Sequence, residues 1–213
     1  MKQNYQLILD NEIKKIQRGS SRPTLLMHAC CAPCSSYVIE YLSSIFDMTM
    51  YFYNPNISPE SEFTFRGSEL ERFISEFPHK FEIKLVRAQY EPEKFRELAK
   101  GLETLPEGGE RCFKCYVLRL EKTAAYAAEN SFDYFSTTLS ISPHKNAQKL
   151  NEIGRELSEK YGVPYLFSDF KKKNGYKRSC ELSAKYGLYR QNYCGCIYSK
   201  AEARQRAMEK NNF

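Results

Sequence analysis

At 213 residues and 42% hydrophobic composition, the chain has enough apolar material for one substantial core, which excludes wholesale disorder. A formal charge of +6 suits a polyanionic partner, and no apolar run approaches the roughly 18 residues of a membrane span. Residues 1–20 lack the apolar segment of a secretory leader and read as an amphipathic helix or arm; the expected location is cytoplasmic, with reduced or metal-bound thiols and no membrane.

After Pro23, the short apolar run Thr24–His28 predicts a buried strand, and it runs into HACCAPC, three cysteines in seven residues. Helical spacing follows in SSYVIEYLSS, then a second strand in DMTMYFYN, closed by the turn Asn54-Pro55-Asn56. A helix in SPESEFTFRGSELERFISEF, a third strand in FEIKLVRA and a helix from EPEKFRELAK come next. PEGGER breaks the pattern before the amphipathic helix RCFKCYVLRLEKTAAYAAEN. FDYFSTT predicts a fourth strand, HKNAQKLNEIGRELSEKYG a helix ending at Gly162, and VPYLFSD a short fifth strand. The remainder predicts two C-terminal helices around a cysteine-containing turn. This alternation implies an α/β fold with a doubly wound, mostly parallel sheet, with residues 1–213 forming a single catalytic domain. In such sheets ligands bind at the carboxyl ends of the strands, where HACCAPC, SISPHK and SDFKKKNGYKR all fall.

The eight cysteines group as Cys30, Cys31 and Cys34; Cys112 and Cys115; Cys180; and Cys194 and Cys196. Cys112 and Cys115 stand one turn apart at a helix start, so both sulfurs face one centre, and the helix N-terminus favours thiolate. Soft thiolates opposed by a second cysteine-rich loop select zinc or an iron–sulfur cluster. Structural zinc serves domains short of core, which this chain is not, so the sheet-edge position leans toward the cluster while both stay open. CAPC also has the form of a thioredoxin-type redox pair. In an extended segment Cys194 and Cys196 point to the same side, and a disulfide between them closes a small, strained, readily reduced ring suited to passing two electrons. Cys180, at helical spacing with no partner in sequence, reads as a core thiol.

Lys171, Lys172, Lys173, Lys177 and Arg178 surround Tyr176 near the same edge. Lysines neutralise phosphates and a tyrosine stacks on an extruded base, against the plainer reading of a solvated basic face. His144 is the best-placed histidine for acid work, or else a helix-start residue that meets phosphate; His28 reads as structural.

Together HACCAPC after the first strand, RCFKCY, SISPHKN, FSDFKKKNGYKRS and YRQNYCGCIYS, in order across positions 28 to 199, resemble the cobalamin-independent epoxyqueuosine reductases. The resemblance implies a Rossmann-like fold of the nucleotide α-hydrolase kind, related to ATP-pyrophosphatase domains. It implies reduction of the epoxide of epoxyqueuosine to the alkene of queuosine in tRNAs with GUN anticodons, fed by an external electron donor. It also implies a 4Fe–4S cluster on Cys30, Cys31, Cys112 and Cys115 and a redox-active disulfide between Cys194 and Cys196. A further mononuclear iron is implied too, with Cys34 and Asp169 as candidate ligands. Asp169 ends the expected fifth strand just before lysines, so a plain salt bridge rivals that role. Two other readings stand beside this one. A cluster-dependent, tRNA-thiolating ATP-pyrophosphatase would carry an SGGxDS-like loop where this chain has CCAPCSS, without glycines to cradle pyrophosphate. A non-catalytic, zinc-stabilised RNA-binding module would have no use for CGC.

Overall fold

The computed structural model describes residues 3–211. Four strands form one all-parallel sheet in the order β3-β2-β1-β4. They are β1 (Thr24–His28), β2 (Asp47–Phe52), β3 (Lys84–Arg87) and β4 (Tyr134–Thr137). Register pairs His28 with Tyr51 on one side and with Thr137 on the other, so β1 is central. Eight α-helices are present among the described residues: α1 (Tyr5–Arg18), α2 (Ala32–Leu42), α3 (Glu60–Glu76), α4 (Pro92–Ala99), α5 (Glu110–Glu129), α6 (Ala147–Tyr161), α7 (Gly175–Lys185) and α8 (Ile197–Asn211). A 3-10 turn, Thr138–Ile141, continues directly from β4.

The two-residue period of β1 divides the core. Leu25 and Met27 pack with Leu9, Val38, Phe73 and Leu182 of α1, α2, α3 and α7 on one face. Leu26 packs with Leu120, Leu150 and Ile153 of α5 and α6 on the other. Helices on both faces of a parallel sheet make the Rossmann-like, doubly wound arrangement that the alternation predicts. A third cluster, Phe95, Ala99, Cys115 and Cys196, ties α4, α5 and the start of α8 together.

One predicted strand is absent. VPYLFSD makes a single parallel bridge, Phe135 to Tyr165, with Phe135 N–H donating to Pro164 O and Leu166 N–H to Phe135 O. Pro164 has no N–H to extend the ladder, and beyond Leu166 the chain is captured by side chains instead. Asn151 on α6 receives the Ser168 N–H at 2.9 Å and donates to Ser168 O at 2.8 Å. The N-terminal segment is a helix over Tyr5–Arg18, capped by Asn4, whose side chain accepts from Leu7 N–H.

Candidate functional site

The cysteines after β1 are placed by a change of secondary structure. His28 is the last strand residue, and Cys31 is extended (φ −173°) as the N-cap of α2, with Pro33 in the first turn. The compact turn leaves the Sγ atoms of Cys30, Cys31 and Cys34 within 4.8 Å of one another, a group able to hold a metal ion. Cys31 and Cys34 hydrogen-bond toward Cys30, which pulls its thiol well below the usual range and pushes theirs up. The trio therefore concentrates negative charge on Cys30, and the N-terminus of α2 favours that charge. Thr138 lies 3.7 Å from Cys30 Sγ.

Cys112 and Cys115 lie on the first turns of α5, as the spacing predicts, and Gly108 N–H donates to Cys112 Sγ at 3.3 Å. Burial raises both thiols, Cys115 to about 12. They share a small void with Cys194 and Cys196. Between the latter two the chain is not extended: Gly195 has φ +126°, its carbonyl accepts from Ser58 N–H, and Arg66 donates to Cys194 O at 3.1 Å. Ser199 N–H donates to the buried Cys196 Sγ at 3.4 Å.

A larger cavity of about 780 Å³ opens beside the Cys30–Cys34 turn and is also walled by Cys194. Glu107, Arg119, Lys145 and Cys194 line both spaces and form the wall between them. Around the outer mouth stand His144, Tyr176, Arg190, Tyr193 and Arg206. The Arg190 guanidinium lies 5.6 Å over the Tyr176 ring, and that of Arg66 lies 5.1 Å over Tyr193.

Buried cations dominate the electrostatics. Arg66, Arg111 and Lys145 have carboxylate partners in Glu62 (2.7 Å), Glu202 (3.3 Å) and Glu107 (2.7 Å). Arg119, 1% exposed, has no carboxylate partner among the described residues. It donates to Asn54 Oδ1 at 2.6 Å and to His28 Nε2 at 3.3 Å, and its Nη1 has no hydrogen-bond partner. Burial opposes its charge, but the sulfurs of Cys115, Cys194 and Cys30 outweigh that and push its pKa up. His28 is fully buried, and burial followed by Arg119 lowers it to about 3, so the ring is neutral. Its Nδ1 lies 2.9 Å from Thr137 Oγ1 and its Nε2 3.1 Å from Tyr53 O, so both ring nitrogens are engaged by the fold and its work is structural.

The other expected residues scatter. His144 is exposed on the rim. Asp169 closes a 2.6 Å ion pair with Lys171 and, among the described residues, is not part of the cysteine group or the cavity wall. Lys173 pairs with Asp10, and Arg178 pairs with Glu40 and Glu181; Lys172, Lys177 and Tyr176 are exposed. Cys180, expected in the core, is only half-buried on α7. Sequence reasoning missed Arg66, Glu107, Arg119 and Lys145. Only Arg119 left a trace, one helical turn beyond Cys115.

A parallel sheet with cysteines directly after its central strand, and seven thiols lining two adjoining spaces that share the buried Arg119, defines a Rossmann-like α/β protein with a cysteine-lined site. Residues 25–202 match the family Epoxyqueuosine reductase QueH, and the chain belongs to that family. It is 46% identical to the Epoxyqueuosine reductase QueH of Streptococcus pyogenes serotype M1, over 92% of this chain and 78% of that one. It is 45% identical to that of Staphylococcus epidermidis, over 92% of this chain and 84% of the relative. Identity to the Thermotoga maritima protein of the same name is 38%, over 87% of this chain and 95% of the other. Among the described residues no helix is long and apolar enough to cross a membrane.

Proposed function

We propose that this protein reduces the epoxide of epoxyqueuosine in tRNA to the alkene of queuosine, in the cytoplasm, on tRNAs with GUN anticodons. The observation that carries the reading is Arg119, a buried cation without a carboxylate, facing sulfurs from three separate stretches of chain. An uncompensated buried charge is costly, and an anionic sulfur centre is the compensation this donor set offers. In this reading Cys30, Cys31, Cys112 and Cys115 hold a 4Fe–4S cluster, and Cys34 and Asp169 are the candidate ligands of a further iron. Asp169 would serve only by leaving Lys171. When bound, the cluster supplies one-electron relay from an external donor.

The remaining chemistry belongs to the protein's own groups. Converting an epoxide to an alkene consumes two electrons and two protons and releases water. Oxidation of the Cys194 and Cys196 thiols to a disulfide yields two electrons and two protons, so the pair balances one turnover and is then re-reduced. Cys194 lines the larger cavity, within reach of a ligand there. Tyr176 and Tyr193 present stacking faces to an extruded base at the mouth, and His144 meets a flanking phosphate. Lys171, Lys172, Lys173, Lys177 and Arg178 supply positive charge beside it.

Iron, sulfide and zinc counted per chain after anaerobic purification test the cluster, and incubation with epoxyqueuosine-containing tRNA and a chemical reductant tests the reaction. About four irons with matching sulfide are expected for the cluster, and about one more without sulfide for the further site. One zinc without sulfide, or an intact epoxide, overturns the reading.

A further inference from the structure

Removing the epoxide oxygen requires a proton at that oxygen as its bonds to carbon break, and the wall between the two cavities holds one group suited to supply it. Lys145 follows His144 in the loop between β4 and α6, yet the two side chains lie in different places. His144 is exposed, whereas the Lys145 side chain is 6% exposed and lines both the open cavity and the thiol void. Its Nζ donates to Glu107 Oε1 at 2.7 Å, which fixes where the ammonium sits. Cys194 and Arg119 complete the same wall.

The other cavity groups fit the task less well. Guanidinium groups do not release protons in proteins, which sets aside Arg66, Arg119, Arg190 and Arg206. The cysteines are committed to metal or electrons, and His144, Tyr176 and Tyr193 stand at the mouth. Lys145 alone combines burial, access to both spaces and a transferable proton.

We propose that Lys145 is the acid that protonates the oxygen leaving the epoxide, with Glu107 as its positioning residue. This deepens the proposed reduction of epoxyqueuosine and rests on it. In the step a C–O bond breaks, its electron pair stays on oxygen, and the Nζ–H bond gives its proton to form O–H. The two electrons come from the thiol pair as the disulfide forms and pass to the carbon freed of oxygen; the second C–O bond then breaks as the C=C bond forms, and the departing hydroxide takes one of the two thiol protons and leaves as water. Neutral Lys145 then recovers a proton through the open cavity, from those the thiols release. Burial works against its charge, yet Cys194, Tyr116 and Glu107 outweigh that and keep it an ammonium. An alkoxide is far more basic than an amine, so the transfer runs downhill even from so weak an acid.

Arginine separates this role from a merely structural or electrostatic one, because Lys145→Arg keeps the positive charge facing Glu107 but releases no proton. With epoxyqueuosine-containing tRNA and a chemical reductant, Lys145→Arg and Lys145→Met are both expected to lose about 100-fold or more in kcat. In Lys145→Arg, iron per chain, melting temperature and Kd for tRNA should match the parent protein, whereas Lys145→Met, which leaves Glu107 without its partner, should melt lower. Glu107→Gln, which leaves the amine in place but frees it to move, is expected to lose about tenfold in kcat with little change in KM. Parental kcat in Lys145→Arg overturns the assignment, as does a fall in iron content or melting temperature of Lys145→Arg that accounts for its lost activity. A parent protein that leaves the epoxide intact fails at the earlier reading, a different result from an active parent with an equally active Lys145→Arg.

Discussion

Gly195 separates two thiols at a φ of +126°, a conformation that residues with a side chain rarely adopt. A Cβ there would also lie 3.0 Å from Ile57 Cγ1 and 3.1 Å from Arg66 Nη1, the arginine that holds Cys194 O. Gly195→Ala is therefore expected to cost about 1 kcal/mol or more in denaturant unfolding and to move Cys194 relative to Cys196. Slower formation of the Cys194–Cys196 disulfide under mild oxidant, followed by mass, is the accompanying readout; an unchanged rate would show that the glycine does not set the pair's geometry. The cysteines themselves were readable because sulfur is rare and its spacing is local: one turn in Cys112–Cys115, adjacency in Cys30–Cys31. Arg119 and the Lys145–Glu107 pair were not. A buried cation looks in sequence like any surface cation, and its meaning arises only when α5, β1 and the CGC turn meet.

At the level of elements, α8 is fastened in part by one buried side chain. Arg111, 1% exposed, donates to the carbonyls of Leu102, Glu103 and Leu105 and to Glu202 on α8, while its guanidinium sits 4.5 Å over the Tyr198 ring. Arg111→Leu strips donors from three carbonyls and leaves Glu202 without its buried partner. A loss of roughly 2–4 kcal/mol in unfolding free energy is expected. Faster limited proteolysis within 197–211 should accompany it, and unaltered cleavage there would show that α8 is fastened by other side chains. Strands β1 to β4 and the helices between them were legible from period and punctuation, since most bury apolar residues of their own, β3 only partly. VPYLFSD misled because its apolar residues are buried like those of a strand. What stops the ladder is Pro164 and the competing amide of Asn151, neither of which alters the apolar pattern.

Over the whole molecule, positive charge sits differently from its order in the sequence. Of the basic run, Lys171, Lys173 and Arg178 are spent on Asp169, Asp10 and Glu40, whereas Lys172 and Lys177 have no acidic partner among the described residues. In tRNA binding measured against salt, Lys172→Ala with Lys177→Ala should flatten the log–log slope by up to about 0.7–0.9 for each phosphate no longer neutralised. Lys171→Ala with Lys173→Ala should change it less. Equal effects from the two double variants would mean that the ion pairs open when RNA arrives.

The frame behind the sulfurs is stiff. Asn54, which accepts from Arg119, donates to Ala29 O at 2.8 Å, and Arg119 also reaches His28, whose ring nitrogens lie 2.9 Å from Thr137 Oγ1 and 3.1 Å from Tyr53 O. The tips of β1 and β4, the turn after β2 and the middle of α5 are thereby bolted into one piece. A redox group carried on such a mount changes its nuclear positions little when its charge changes. If the proposed cluster is held there, the reorganisation energy for gaining or losing an electron would be small, and rapid exchange would need no moving part.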